Sequence, residues 1–293
     1  MDPVLEKAEW LKQMESGDIR PYVFVRPENR IQNPGTRHRL DWFPNEPIYK
    51  DPLDLGQLEF AEQIYDLEHK AFGPSNLQIP RWVFYDCAVM PGFVAGFAMK
   101  SSKLPDAVKK VLRHDPKFDW TPLSLFIIIP TMKKGEWVAH NLCAVNSILP
   151  EQDRFYGLGF LSKAFGLWYA NVETCCGMTQ WGSPALKLHS HFGHLQILTS
   201  YTPVHTHAET ITYRSEVNIE CWEKFFTREP DLAFLEKYEP SGIVLDPTAK
   251  DSQIALQQKI QNGEGPFYLN AAQIAEQKLT EPLSVYRMKG NHG

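Results

Sequence analysis

Two long apolar segments separated by a short polar turn constrain the fold more than any other feature of this sequence. "LSLFIII" precedes the turn "KKGE" and "WVAHNLCAVNSIL" follows it, all between residues 123 and 149. Apolar runs of this length on either side of a glycine-containing turn predict two antiparallel strands. Such strands need further strands and helices to cover them.

Helix and strand patterns alternate along the rest of the chain. Residues 55–73 have apolar side chains near a helical spacing, and "RWVFYDCAVMPGFVAGFAMK" predicts two strands joined at Pro91-Gly92. A helix from about residue 158 to Val172 is followed by a short strand, a short helix after Ser183 and two more strands. This order predicts an α/β fold with a mixed, mostly antiparallel twisted sheet flanked by helices.

The composition of the chain changes towards both ends. Residues 1–50 predict an N-terminal arm with one short helix and a proline-punctuated loop, and residues 51–220 hold the alternating helices and strands. After about residue 220 the chain becomes polar and helical, with the patterns "CWEKFF", "PDLAFLEKY", "SQIALQQKIQ" and "NAAQIAEQKL". We therefore predict a helical C-terminal extension over residues 221–293.

Charge and cysteine content exclude several classes of protein. The formal net charge of -5 disfavours a nucleic-acid-binding protein, which normally presents a basic face. Cysteines without a C-x-x-C pair, and an N-terminus without a secretory signal, indicate a reducing compartment. The longest apolar runs are too short to span a bilayer. We therefore expect a soluble, cytoplasmic protein with no nucleic-acid or membrane partner.

A glycine-containing loop opens the helix that follows the two apolar strands. "DRFYGLGFLSKAF" contains Gly157 and Gly159, with Arg154 in front of them. The first N–H groups of a helix lack partners within the helix and attract an anion, and glycine lets the backbone approach that anion closely. The other interpretation is an ordinary capped turn at the surface. The loop therefore predicts either a phosphate site or a plain helix start.

The loop resembles the pyrophosphate-binding loop of the GCN5-related N-acetyltransferase (GNAT) superfamily. The family pattern is Arg or Gln, two residues, Gly, one residue, Gly or Ala; it is matched from Arg154 to Gly159, after a hydrophobic-x-Pro that ends the preceding strand. "SPALKLHSHFGHLQIL" is similar to a second motif of the family, with Ala185 and Gly193 in place. The resemblance implies the acyl-CoA N-acyltransferase fold for residues 51–220. It also implies acetyl-CoA or another acyl-CoA as co-substrate, bound by Ile148, Leu149, Arg154, Phe155, Tyr156, Gly157, Leu158 and Gly159.

Two histidines stand where members of this family often place proton-transfer residues. His189 aligns with a tyrosine that protonates the departing coenzyme A thiolate, and His140 lies on the strand that carries a glutamate base. A histidine can donate or accept a proton near neutral pH. The resemblance implies His189 as general acid and His140 as base, with a backbone N–H within residues 147–149 polarising the thioester carbonyl. The alternatives are a helix histidine bonded to a carbonyl and a strand histidine facing a helix.

The resemblance implies an acyl-CoA-dependent N-acyltransferase that acetylates a small-molecule amine. The N-terminal arm and the C-terminal helices would shape the acceptor side or form a homodimer interface. The family's tyrosine and glutamate are replaced here. Decarboxylation of an acyl-CoA, S-acyl transfer and binding without catalysis therefore remain open.

A histidine-rich metal site is the second alternative. The density of histidines in one region is typical of zinc or iron proteins; they are His189, His191, His194, His205 and His207. "PVHTHAE" resembles part of a cupin motif, but Glu209 follows the second histidine too closely. We predict no metal site. We also interpret Cys143 as a small hydrophobic strand residue rather than a nucleophile.

Overall fold

A computed structural model describes residues 11–36, 46–205, 207–217 and 234–290. The chain divides into two units, Met1–Val172 and Glu173–Gly293. The helices and strands of the first unit are α1 (Leu11–Glu15), β1 (Ile19–Phe24), β2 (Ile48–Lys50), α2 (Leu58–Phe72), α3 (Arg81–Val89), β3 (Phe93–Lys100), α4 (Asp106–Val111), β4 (Trp120–Pro122), β5 (Ser124–Pro130), β6 (Glu136–Ala144) and α5 (Leu158–Tyr169).

A mostly antiparallel sheet organises the first unit. Its strand order is β6-β5-β3-β1-β2, and β4 also pairs with β3. Only β1 and β2 run parallel among these pairs of described strands. Helix α5 packs against β3, β5 and β6, helix α2 against β4, β5 and β6, and helix α3 against β3 and β5. The predicted fold class, a mixed and mostly antiparallel sheet with flanking helices, is confirmed.

The two apolar strands form the predicted hairpin, β5 and β6, with one irregularity. Ile127 pairs with Asn141, whereas the next residue, Ile128, pairs with Ala139. His140 is therefore the extra residue of a β-bulge. A bulge bends and twists its strand locally and often lies beside a functional site.

Helix α5 lies close to the sheet because it contains Gly166. A Cβ at this position would lie 2.5 Å from the ring of Phe126 on β5. Ser162, one turn earlier, donates a 2.6 Å hydrogen bond to Ser124 Oγ, also on β5. These contacts fix the helix that begins at the glycine loop.

The strands of the second unit pair antiparallel in the order β10-β12-β11-β8-β9-β7. Its elements are β7 (Thr174–Gln180), α6 (Pro184–Ser190), β8 (Leu195–Thr199), β9 (Thr210–Glu216), α7 (Phe234–Lys237), β10 (Tyr238–Leu245), α8 (Lys250–Gln261), β11 (Phe267–Leu269), α9 (Ala271–Glu276) and β12 (Leu283–Met288). Its core is a cluster of buried side chains: Trp181, Leu186, Leu195, Ile197, Ile211, Tyr213, Leu245, Leu256, Phe267, Leu269, Ile274, Leu283 and Val285.

The C-terminal segment is not the helical extension predicted for residues 221–293. Helices α8 and α9 fall where helices are predicted, but β10, β11 and β12 join the sheet of the second unit through the pairing of β11 with β8. β11 has three residues and β10 contains Pro240 and Gly242, so neither shows the alternation that identifies a strand in a sequence. Along the chain, the boundary between the two units lies between residues 172 and 173. The sequence instead predicts boundaries near residues 50 and 220.

Two further predictions of local structure are wrong. "RWVFYDCAV" forms helix α3 instead of a strand, and its buried residues Phe84, Cys87 and Ala88 follow helical spacing. The N-terminal arm is not a loop after its first helix, because β1 pairs with both β3 and β2 and is almost entirely buried. Short apolar runs fit both a helix and a strand, which explains the first error.

The predicted helix pattern "CWEKFF", which includes Cys221, falls outside the described residues. The predicted homodimer interface is a property of an assembly and remains a prediction. Within the described ranges, no helix combines the length and the apolar character needed to cross a bilayer.

Candidate functional site

The chain between β6 and α5 forms a loop that the side chain of Asn146 closes. Asn146 Nδ2 donates a 2.6 Å hydrogen bond to Phe155 O, and Phe155 N donates a 2.9 Å bond to Asn146 Oδ1. Phe155 itself is buried. This pair of bonds joins residues nine positions apart, so a side chain of the loop itself fixes the loop's shape.

Gly157 has a backbone conformation that favours glycine. Its φ is 77° and its ψ is 1°, and it directly precedes α5. No side chain among the described residues caps this helix, and the Gly157 carbonyl accepts a 2.9 Å hydrogen bond from Leu161 N. An uncapped helix start behind a left-handed glycine presents N–H groups and the positive end of the helix dipole to an anion.

Arg154 lies at the exposed edge of this loop. Its Nε donates a 3.2 Å hydrogen bond to Leu149 O, which orients the guanidinium group. Because this bond uses Nε, the two Nη groups remain at the exposed end of the side chain. Of the other predicted ligands, Leu149 and Leu158 are buried and Tyr156 is half-buried.

The backbone N–H groups before the loop are arranged differently from the prediction. Ile148 N and Leu149 N both donate to Val145 O, over 3.0 and 3.1 Å. These two N–H groups are therefore engaged within the turn that follows β6. The expectation that an N–H group within residues 147–149 polarises a thioester carbonyl stays a prediction.

His140, the predicted base, is the bulged residue of β6, and its side chain is exposed. Desolvation by the surrounding protein atoms nevertheless lowers its pKa. A lowered pKa keeps the imidazole neutral at pH 7, and the neutral ring is the form that accepts a proton. His140 therefore has a protonation state suited to a base.

A buried carboxylate that sequence reasoning missed lies beside β6. Glu68 on α2 has no exposed surface, and its Oε1 accepts hydrogen bonds from Asn141 Nδ2 at 2.8 Å and from Ile79 N at 3.0 Å. Its Oε2 lies 3.0 Å from His69 Nδ1. Burial raises the pKa of Glu68, and these three neighbours oppose the rise. The burial of Glu68 could have been predicted from the sequence, because Glu68 follows Ile64 by four residues and so lies on the same buried face of the helix.

Cys143, on the same strand, is a buried thiol. Burial, together with the nearby charge of Glu68, raises the pKa of this thiol well above its ordinary value. A thiol with a raised pKa has little thiolate at neutral pH and is a poor nucleophile. The environment therefore supports its interpretation as a small hydrophobic residue.

His189, the predicted general acid, belongs to the second unit, on α6, and is 7% exposed. Its ring lies 5.3 Å from the ring of Tyr213 on β9. The Tyr213 side chain has room beside Gly177, its partner on the neighbouring strand, because glycine has no Cβ. A Cβ on Gly177 would lie 2.5 Å from the Tyr213 hydroxyl oxygen. Burial raises the pKa of Tyr213 well above its ordinary value. The two predicted proton-transfer histidines thus lie in different units, His140 in the first and His189 in the second.

The other histidines of the second unit have local contacts. Burial lowers the pKa of His191 to about 4, and the ring of His194 lies 4.3 Å from that of Phe234. His205 Nδ1 accepts a 3.0 Å hydrogen bond from His207 N. In the part of the chain that the structure describes, no group of three or more His, Cys, Asp or Glu side chains is arranged to hold a metal ion.

Comparisons with known proteins give matches in structure alone. No protein-family model and no curated protein sequence matches this chain. A chain of the NatC complex, solved with a Gag peptide and CoA, is 12% identical over 57% of this chain and 96% of its own, with a TM-score of 0.38. A protein from Klebsiella pneumoniae, assigned as an acyl-CoA N-acyltransferase, is 15% identical over 57% of this chain and 93% of its own, with a TM-score of 0.32.

A third similar structure comes from Desulfovibrio desulfuricans and is assigned as an acetyltransferase of the GNAT family. It is 12% identical over 53% of this chain and 92% of its own, with a TM-score of 0.34.

Proposed function

We propose that this protein transfers an acyl group from an acyl-CoA to an amine. The observation that supports this proposal most is the structure of the loop before α5, which the hydrogen bonds between Asn146 and Phe155 hold closed. Its left-handed Gly157, the uncapped helix start and the exposed Arg154 offer backbone N–H groups and one fixed positive charge to an anion. The diphosphate of coenzyme A is such an anion. The resemblance of this loop to the GNAT loop supports the same ligand.

Acyl transfer requires a neutral amine, a polarised carbonyl and a proton for the leaving sulfur. The amine nitrogen attacks the thioester carbonyl carbon, so that a C–N bond forms and the C–S bond breaks. One proton leaves the nitrogen and one reaches the sulfur, which gives an amide and free coenzyme A. We propose His189 as the donor to sulfur on the strength of its alignment, and a backbone N–H within residues 147–149 as a donor to the carbonyl oxygen. His140 is the sequence-based candidate for the base.

The proposed donor is acetyl-CoA, and the proposed acceptor is a primary amine on a small molecule. Both are carried over from the resemblance. A panel of small primary amines and of peptides with a free N-terminus tests the acceptor, with release of the coenzyme A thiol as the readout.

The first test is calorimetric titration of acetyl-CoA into wild type and Gly157→Glu. The substitution puts a side chain on a left-handed residue and a negative charge beside the proposed diphosphate, so we expect affinity to fall at least 100-fold. Gly17→Glu is the matched control, because Gly17 has a φ of 73° and no atom lies within 4 Å of the position that a Cβ would take there. It adds the same strain and the same charge away from the loop, and we expect it to bind like wild type.

Arg154→Ala gives a second, milder test of the same loop. Loss of one charge-assisted hydrogen bond weakens binding by about tenfold or more. Arg287→Ala is its control, because Arg287 is a half-buried arginine that pairs with Glu239 in the second unit.

Each outcome has a definite meaning. If wild type binds no coenzyme A species, the proposal fails; if Gly157→Glu binds as wild type does, the ligand is not at this loop. Tight binding without transfer to any amine would leave a coenzyme A binder, a decarboxylase or an S-acyltransferase.

A further inference from the structure

We propose that His69 is the general base that takes the proton from the acceptor amine, with Glu68 as its positioning residue. This inference rests on the proposed function and assigns one step of it to residues that the sequence resemblance does not mark. Three contacts carry it: Glu68 to His69, Glu68 to Asn141, and Glu68 to the backbone of Ile79.

The first contact is the pairing of His69 with Glu68. His69 Nδ1 lies 3.0 Å from Glu68 Oε2, which is an ion-pair distance, but the angles of this contact are not those of a hydrogen bond; among the described residues neither atom has a hydrogen-bond partner. A carboxylate at this position favours the tautomer with the proton on Nδ1. The lone pair then lies on Nε2, which is the arrangement of a histidine base oriented by an acid.

The other two contacts fix the carboxylate. Oε1 accepts from Ile79 N and from Asn141 Nδ2, so Glu68 cannot rotate without breaking both bonds. Glu68 is fully buried, whereas 36% of the His69 side chain is exposed. The pair therefore has a rigid inner member and a solvent-facing outer member. The ring of Tyr65, 4.1 Å from that of His69, adds a packing contact.

The position of α2 links this pair to the loop. Helix α2 packs against β6 and against the turn Val145–Ser147, which starts the loop. Asn141, which bonds to Glu68, immediately follows the bulged His140 on β6. The pair, the bulge and the glycine loop therefore belong to one unit and are joined by direct contacts.

The other carboxylates of α2 have partners of their own: Asp66 pairs with Lys70, Glu62 with Arg81 and Glu59 with Arg113. Among the described strands packed on α2, β4 and β5 carry no titratable side chain, and β6 carries Glu136, His140 and Cys143. From α3, Arg81 lies over the ring of Tyr65 at 5.3 Å. The carboxylate of Glu68 is thus the nearest negative charge available to stabilise a protonated His69.

The proton balance of the step is simple. As the C–N bond forms, the amine nitrogen gives a proton to His69 Nε2, and the imidazolium is stabilised by the Glu68 carboxylate. The C–S bond breaks and the sulfur takes a proton from a separate acid, for which we propose His189. The proton on His69 is then released to solvent, so the pair returns to its starting state.

The test is the pH profile of kcat/KM for acetyl transfer to the best amine of the panel. We expect His69→Gln to lower kcat/KM about 100-fold and to remove the acidic limb of the profile. Glu68→Gln keeps an oxygen for Ile79 N and Asn141. Because the imidazolium formed in the step then lacks a neighbouring carboxylate, we expect Glu68→Gln to lower kcat/KM about tenfold. Glu62→Gln is the control, because Glu62 is on the same helix and pairs with Arg81.

A second measurement is independent of turnover. The ring 15N chemical shifts of His69 are expected to show the tautomer with the proton on Nδ1 in wild type and a loss of that preference in Glu68→Gln, while acetyl-CoA affinity stays unchanged. An acidic limb that persists in His69→Gln and disappears in His140→Ala would overturn the assignment to His69. Absence of acetyl-CoA binding in wild type would instead reject the proposed function, so the two failures are distinct.

Discussion

At the scale of single residues, His191 links stability to pH. Burial, with the charge of Lys187 as a smaller cause, lowers its pKa from 6.5 to about 4 in the folded protein. Between these values the unfolded chain binds more protons than the folded chain, so stability falls as the pH falls from 6.5 towards 4. The loss amounts to at most about 3 kcal/mol.

Urea unfolding at several pH values between 4 and 7 measures this effect. We expect His191→Gln to lose less free energy of unfolding than wild type as the pH falls through this window. Parallel curves for the two proteins would show that other groups cause the acid sensitivity.

Some residues of the candidate site can be identified from the sequence, and others cannot. Arg154 and Gly157 are close together in the chain, so their spacing is visible, and the positive φ of Gly157 agrees with the need for glycine there. The bond between Glu68 and Asn141 joins residues 73 positions apart, and only the folded chain brings them together. A buried acid on an apolar helix face is a weak hint of such a partner, but it does not name that partner.

At the scale of elements, the contact between α5 and β5 is the most sensitive to added volume. Gly166→Ala would place a Cβ 2.5 Å from the Phe126 ring, so the helix must move away from the strand. Overpacking of this kind destabilises a protein by about 1–3 kcal/mol. Because α5 begins at the glycine loop, we also expect weaker acetyl-CoA binding.

Thermal or chemical unfolding, together with a binding titration, checks this prediction. Gly73→Ala is the matched control, because Gly73 follows α2 with a helical backbone and has open space around it. Combining Gly166→Ala with Phe126→Leu is expected to recover part of the loss. Equal stability of Gly166→Ala and Gly73→Ala would contradict the steric explanation.

Elements with strong local signals could be predicted, and those held by distant partners could not. The hairpin β5–β6 and helix α5 have long apolar patterns, and their positions agree with the structure. β11 is a strand because Phe267 and its neighbours pair with β8 and β12, and nothing within its three residues indicates this. The bulge at His140 likewise follows from the pairing of β6 with β5, and no pattern in the sequence predicts it.

At the scale of the whole molecule, the C-terminal segment is part of the second unit rather than an appendage. More than half of the core residues of that unit come from it, among them Leu245, Phe267 and Val285. Each fully buried apolar side chain contributes about 1.5–3 kcal/mol, and a whole domain is stable by only about 5–15 kcal/mol.

A chain that ends at residue 217 is therefore expected to leave its second unit unfolded. Limited proteolysis checks this, with a chain that ends at residue 290 as the control. Resistance of residues 174–217 to protease in the shorter chain would show that the C-terminal strands are dispensable.

The two hydrogen bonds between Asn146 and Phe155 also have a kinetic consequence. They order the loop during folding, so a ligand that binds there does not lose the conformational entropy of a mobile loop on association. Encounter is then a single step without a preceding rearrangement. Substitutions in the loop are therefore expected to change how long a coenzyme stays bound more than how fast it arrives.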